Sequence, residues 1–426
     1  QNFDRIDIDV LDELEHFVSQ NELVELLDFS RVEFDKIIKT VATLSYPRIE
    51  TKFESVKLAN IAPFVSTKVA LSKIDVKTYV STENMLQNRA GVQVFEGQPS
   101  IDKITEYQKG DILISNIRPY LKKIWKAEYD GGCSNDVLVF RNVKTNEVLD
   151  EYLYSVLSSD IFFDYMMVGM KGVKMPRGDK KMIPQFEIPL PPMDVQKKIV
   201  EECEKIDKAV AEDNEQIRNI EVTISKMMLE VEGDAQKIQK LCSAINPSKS
   251  DVNSLEKSML VSFVEMSSVS NDGYIEQMVD KPLAYVRKSS YTYFAEGDII
   301  IAKITPCMEN GKCALATGLK NGIGFGSSEF HVFRANAKLI NNVYLFAYLN
   351  RKEIRSKAAE VMTGSSGHRR VPISFYEDLE IPVPSMDKQM LIAEKYKGLM
   401  KDIESLKQQI ANASSRKQAI LDKYLK

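Results

Sequence analysis

The sequence predicts an α+β fold: two similar domains with mixed β-sheets, separated by two long helices that form an antiparallel coiled coil. Three observations carry this prediction. The run Gly110-Asp111-Ile112-Leu113-Ile114-Ser115 returns as Gly297-Asp298-Ile299-Ile300-Ile301-Ala302. The run Ile188-Pro189-Leu190-Pro191-Pro192-Met193-Asp194-Val195-Gln196 returns as Ile381-Pro382-Val383-Pro384-Ser385-Met386-Asp387-Lys388-Gln389. A long helical pattern follows each Pro-rich run. The period of about 190 residues far exceeds the length of a solenoid unit, so it marks whole domains.

The expected organisation is an acidic helical segment over 1–50, a first domain over 51–192, a first long helix over 193–233, a second domain over 234–385 and a second long helix over 386–426. In residues 8–44, three short apolar faces alternate with acids: Leu11, Leu14, Phe17 and Val18; Leu23, Leu26 and Leu27; Phe34, Ile37, Ile38 and Val41. Ser30 and Glu33 have capping-box spacing, and Tyr46-Pro47 ends the helical pattern.

In the first domain, Ile112–Ile117 and Val137–Phe140 read as buried strands, because β-branched residues run without alternation. Tyr152–Phe163 reads as a helix, and Ile183–Leu190 as a closing strand stopped by Pro191-Pro192. In the second domain, Ile299–Ile304 and Phe330–Phe333 match the strands, Val343–Leu349 the helix and Phe375–Val383 the closing strand. Flanking pairs also recur: Phe140-Arg141 with Phe333-Arg334, and Ser134-Asn135-Asp136 with Ser327-Ser328-Glu329.

The long helices carry apolar residues at alternating spacings of three and four. The first seam contains Ile199, Ile206, Val210, Ile217, Ile220 and Ile224, with Cys203, Met227 and Val231. The second contains Ile392, Leu399, Ile403, Leu406, Ile410 and Ile420, with Tyr396, Ala413 and Tyr424. Such a stripe sustained over about five heptads is a coiled-coil seam, and each helix should be roughly 50–60 Å long. Asp213 and Lys417 are the polar breaks; they are expected to meet and fix register.

Composition excludes several classes. Apolar content of 44% and charged content of 28% are ordinary for a globular protein. No apolar run is long enough for a membrane span, and no signal-peptide pattern opens the chain. The five cysteines are scattered and there are three histidines, so neither a disulfide framework nor a metal site is expected. A reducing cytoplasm fits. Net charge is −4, yet residues 1–35 hold eleven acids against Arg5 and Arg31, a net of −9, which leaves +5 for 36–426. Any polyanion footprint is therefore local. The first residue is Gln, which reads as a processed or trimmed chain or the end of a longer polypeptide.

Catalytic motifs are missing. Leu190-Pro191-Pro192-Met193 lacks both the polar first and aromatic last residue of an amino-methyltransferase motif. Asp298 leads to Ile301-Ala302-Lys303, with Ile where a metal nuclease needs its second acid; the other copy reads Ile114-Ser115-Asn116. There is no Walker sequence, and Gly322-Ile323-Gly324-Phe325-Gly326 reads as a hairpin turn rather than a phosphate loop. The chain is expected to be non-catalytic and to need no cofactor.

Two Gly-containing basic loops occupy matched places between the central helix and the closing strand. One carries Lys171, Lys174, Arg177, Lys180 and Lys181; the other carries His368, Arg369 and Arg370 after Gly364. A third patch, Arg118, Lys122 and Lys123 with Tyr120, Trp125 and Lys126, mixes bases with aromatics. Its counterpart starts at Lys303. Glycine allows close backbone approach, and Arg or Lys can hold phosphate or reach guanine edges. These are the expected DNA-binding residues; for any single cluster, a solvated surface loop is the competing explanation.

Taken together, the duplicated Gly-Asp strand, the Ile-Pro-x-Pro closing strand and the trailing helices make residues 53–426 resemble a type I restriction-modification specificity subunit. That resemblance implies two target-recognition domains, each reading one half of a bipartite site in double-stranded DNA, with the helix pair setting the unread spacer. It implies methyltransferase subunits docked on the helices and a restriction/translocase subunit joining them. The acidic N-terminal segment departs from the family pattern and suggests a methyltransferase–specificity fusion. The alternative is a tandem-domain scaffold that binds proteins and enriches no DNA sequence.

Overall fold

The closing strand of each repeat returns to the strand that opened it. In a computed structural model, Glu187–Pro189 pairs antiparallel with Ser55–Lys57, and Glu380–Val383 pairs antiparallel with Asp234–Lys237. The structure describes residues 46–426 except Ser100, Val173, Lys174, Ser289 and Ser366. The helices expected over 8–44, and Lys174, lie outside the described residues. The described chain packs as two compact units, 46–208 with 412–426, and 209–411.

Inside the first unit, a three-stranded sheet runs in the order Ile124–Lys126, Ile112–Ser115, Val137–Phe140. A four-stranded sheet contains Lys68–Ala70, Lys103–Tyr107, Gly131–Cys133 and Tyr79–Val80, the last pair parallel and the others antiparallel. The second unit repeats this plan. One sheet contains Cys242–Ile245, Phe330–Ala335, Ile299–Ala302 and Cys313–Leu315; the other joins Leu260–Val264 in parallel to Ile323–Gly326 and antiparallel to Val279–Pro282.

Both faces of the Gly-Asp strands are covered, which explains their unbroken apolar runs. Ile112 and Ile114 pack with the helices around Tyr152 and Phe162, while Leu113 packs with Tyr107 and Trp125. Ile299 and Ile301 face Tyr344 and Phe346, while Ile300 faces Phe294 and Val332. Trp125 is therefore core, not an exposed stacking surface.

Three expected elements differ in the structure. The helix expected over Tyr152–Phe163 is two helices, Asp150–Leu157 and Asp160–Val168. Ser159 caps the second by accepting from the Phe162 amide at 3.2 Å. The expected closing strands are short at their starts: Ile183–Gln185 is a 3₁₀ turn and Ile373–Asp378 is a helix led by Pro372, which buries Tyr376. The expected hairpin turn at Gly322–Gly326 is the strand Ile323–Gly326. A Cβ on Gly324 would lie 2.1 Å from the Phe294 ring, so its glycine serves close packing rather than turning.

The first long helix runs Met193–Leu229; the second is Met386–Ala411 and Ala413–Leu425, interrupted at Asn412. In each unit the start of one long helix lies with the end of the other, so they run antiparallel. Ile199 and Cys203 share a core with Leu421 and Leu425 in the first unit, and Met228 shares one with Ala393 and Tyr396 in the second. Of the seam residues, Ile199, Ile206, Ile217 and Ile403 are buried. Val210, Ile220, Ile224, Ile392, Leu399, Leu406, Ile410 and Ile420 are half-buried. The expected partnership of Lys417 with Asp213 is replaced by Lys417 with Asp207, beside Lys423–Glu202 at 2.7 Å. That register places Lys417 opposite a point six residues before Asp213.

Candidate nucleic-acid interface

The duplicated motifs are two halves of one internal frame. Gly110 and Gly297, at φ +94° and +83°, make the turns that deliver Asp111 and Asp298 to the sheet. Arg141 grips Asp111 with Nε and Nη2 at 2.8 and 2.7 Å; Arg334 grips Asp298 at 2.9 and 2.8 Å. The same carboxylates accept the Gln108 and Ala295 amides, both at 2.8 Å. Asp111 and Asp298 are 3% and 1% exposed, so these are bidentate pairs with well-satisfied acids rather than catalytic carboxylates.

A second duplicated device fixes each long helix to its own domain. The buried Gln196 carboxamide accepts the Leu149 amide at 2.9 Å and donates to the Glu147 and Pro191 carbonyls. Gln389 accepts the Asn341 amide at 2.8 Å and donates to Leu339 and Pro384. This is the chemistry behind the recurring Met-Asp-x-Gln run.

On this frame the basic loops take matching places. Arg177 makes backbone bridges to Ile117 on one side and Lys171 on the other; Arg370 does so to Ile304 and Thr363. Arg177 holds Asp136 at 3.0 and 3.2 Å, and Arg370 holds Glu329 at 2.9 and 2.7 Å. The Arg370 hydrogen bond keeps the Glu329 carboxyl below its ordinary range. Lys171 pairs with Asp179 at 2.7 Å and lowers its pKa, Lys180 donates to the Asn135 carbonyl, and Lys181 is exposed. Arg118, exposed and in the left-handed region, donates its amide to Pro176 and so adjoins this loop. In the second unit, Arg369 reaches Glu309 at 3.2 Å, His368 is exposed and Lys303 is half-buried. His331 lies beneath, buried, and donates Nε2–H to the Val371 carbonyl at 2.9 Å; burial lowers its pKa.

Two expected contacts are not brought to the loop. Lys122 joins Arg89 on Asp160, at the start of a helix. Lys123 donates to the Thr82 carbonyl at 2.6 Å; burial, then the Arg118 charge, lowers its pKa. Lys68, which no local pattern marks out, meets the same Asn135 that Lys180 reaches: its ammonium donates to Asn135 Oδ1 at 2.5 Å and Thr105 Oγ1 at 2.8 Å. Burial pushes Cys133 and Cys313 up to about 12, so both are neutral thiols at pH 7. Among the described residues, no group of three or more His, Cys, Asp or Glu could hold a metal ion, and no helix is long and apolar enough to cross a membrane.

Residues 50–222 and 235–413 each match the sequence pattern of the type I restriction modification DNA specificity domain. The chain belongs to that family. Similar relatives include the Escherichia coli type I restriction enzyme EcoAI specificity subunit, 39% identical over 183 residues, which is 42% of this chain and 30% of that protein. The E. coli EcoEI specificity subunit is 37% identical over 185 residues, 43% of this chain and 30% of that protein. Each match thus spans under a third of the relative's length. A type I restriction-modification S subunit from M. genitalium aligns with a TM-score of 0.46 and 11% identity, over 88% of this chain and 96% of that one. Each specificity domain here carries its own Asp–Arg pair, buried glutamine and basic loop, and each family match continues from a domain into a long helix.

Proposed function

We propose that the chain is the DNA sequence-specificity component of a type I restriction-modification system, and that its two specificity domains read the two halves of a bipartite duplex target. The observation that carries this reading is the recurrence of a basic, glycine-containing loop at equivalent positions of two frames, with different residues in each. Equal frames with unequal loops suit two readers of unequal sequences. In the first domain, Lys171, Lys180, Lys181 and Arg118, with Lys68, supply cations for phosphate and base edges; in the second, Lys303, His368 and Arg369 do so. Lys174 belongs to the first set by sequence. The chain itself catalyses nothing and needs no cofactor. Methyltransferase subunits dock on the long helices, a restriction/translocase subunit completes the assembly, and the complex works in the cytoplasm.

Selection from a randomised duplex pool tests the reading. The full chain with methyltransferase subunits should enrich one two-part motif, and its affinity should fall steeply with salt. Enrichment of no sequence would indicate a protein scaffold instead. Arg369→Ala should weaken binding by about 1–3 kcal/mol and relax selection in one half of the motif only. Relaxation in both halves, or in neither, counts against a one-domain, one-half division.

A further inference from the structure

Resting on that reading, we infer that Arg177 and Arg370 are positioning residues rather than DNA contacts: Asp136 and Glu329 clamp them, and each clamp sets which neighbouring side chains face the duplex. The backbone places each arginine at the centre of a small three-segment patch. Arg177 exchanges both hydrogen bonds with Lys171 at 2.9 Å, while Arg118 donates to Pro176 and Gly178 donates to Asn116. Arg370 exchanges both with Thr363 at 2.8 and 3.0 Å, while Thr305 donates to Arg369 and Val371 donates to Lys303. Each loop is thus laid along the segment that leaves its Gly-Asp strand.

The side chains complete the clamp from the next strand. Asp136 immediately precedes Val137–Phe140, and Glu329 immediately precedes Phe330–Ala335. Their own carbonyls accept the Asn116 and Lys303 amides at 2.8 and 2.9 Å, so each acid is anchored by its backbone to the segment its side chain helps to cover. Nε and Nη2 of both arginines are committed to these carboxylates, and Arg370 Nη1 also donates to the His368 carbonyl at 3.2 Å.

An acid on a surface that meets phosphate is electrostatically costly, so its presence there calls for another task. Aspartate in one copy and glutamate in the other differ by a methylene, yet both receive a two-point grip from the equivalent arginine. Single exposed ion pairs contribute little; a bidentate pair built into a backbone patch is the geometry that departs from that rule. To turn its Nε edge toward phosphate, either arginine would have to break this grip first.

Three variants of the full chain test the inference: Glu329→Gln, Arg370→Lys and the exchange Glu329→Arg with Arg370→Glu. Amide hydrogen exchange without DNA should accelerate roughly tenfold or more at Thr363 and Arg370 in both single variants, and return toward the original rate in the exchange variant. Selection from a randomised duplex pool should show Glu329→Gln binding several-fold more weakly, although it removes a negative charge, with only the second half of the motif blurred; the exchange variant should restore it. Unchanged amide exchange in both single variants overturns the clamp whether or not DNA binds. Tighter binding by Glu329→Gln overturns it, because the acid would then only repel. Restored amide exchange without restored selection overturns it too, because Arg370 would then be reading DNA itself. If the original chain enriches no sequence, the DNA-specificity reading fails while the amide rates still decide the clamp.

Discussion

The second short helix of each unit begins at the same place in the fold and does opposite things there. In the first unit the opening residue is Asp160. Arg89 at 2.5 Å, Lys122, and Ser414 of the second long helix at 2.9 Å converge on it, and Arg89 also donates to the Ser158 carbonyl. In the second unit the opening residue is Lys352, 73% exposed, which reaches Glu221 of the first long helix at 2.9 Å. Beside it lies a groove of about 420 Å³ lined by Arg218, Asn350, Arg351, Tyr396 and Met400. An acid at a helix N-terminus suits the helix dipole and can gather cations from several segments; a lysine there can do neither. The same helix start thus gathers three partners on one acid in the first unit, and in the second sends a lysine outward to a single acid while Arg351 pairs with Glu353 at 3.3 Å.

The frame itself should respond alike in both units, which sets the scale. Asp111→Ala removes the buried partner of Arg141 and Asp298→Ala that of Arg334, which keeps Asp251 at 3.3 Å; with both guanidiniums about a third exposed, each should cost about 2–3 kcal/mol in urea unfolding. A large loss in one unit alone would mean the frames are not equivalent. The junctions should respond unequally. Asp160→Asn should cost about 1–2 kcal/mol, discounted because the carboxylate is 37% exposed, whereas Lys352→Ala should stay within about 0.5 kcal/mol. Equal effects would remove the contrast.

Acid sharpens the comparison further. Burial disfavours the charged form of Asp160, but the Lys122 and Arg89 hydrogen bonds outweigh it and hold the carboxyl down to about 2, against an ordinary 3.8. A depressed carboxyl stabilises the fold fully above the ordinary value and ceases to as pH falls through the folded one. The stability gap between the original chain and Asp160→Asn should therefore be constant above pH ~5 and close toward pH ~2. A gap that persists at pH 2 would show that the amide disturbs packing instead. A small effect of the opposite sign is expected in the groove: Ser225→Leu, facing it from the first long helix, should add about 0.5–1 kcal/mol to thermal stability.

Much of this architecture was legible because its signals are periodic or repeated. The covered strands at Ile112 and Ile299, the seam positions and the matched basic loops all lie within short windows. What stayed hidden depends on distant partners or on a single atom. Asp111 and Arg141 were both visible as motif residues, but nothing local says they grip one another. Asp136 and Arg177 are 41 positions apart, and Asp160 and Ser414 are 254 apart, so neither link leaves a local trace. Ser159 divided an apolar run that periodicity joined, because one hydroxyl cap outweighs a continuous stripe. Phe375 and Tyr376 were read at strand period where Pro372 starts a helical turn. Lys68 sits in an unremarkable stretch, and the sheet brings it to Asn135, which Lys180 also reaches.

The buried glutamines have a practical consequence for anyone grafting one specificity domain onto another long helix. Gln196 clasps the segment at 147–149, and Gln389 clasps the one at 339–341. A chimera joined at the proline run would set each glutamine against backbone groups from the other parent. The transferable cassette therefore extends into the opening turn of the helix, and a seam placed beyond Gln196 or Gln389 keeps lock and key from the same parent.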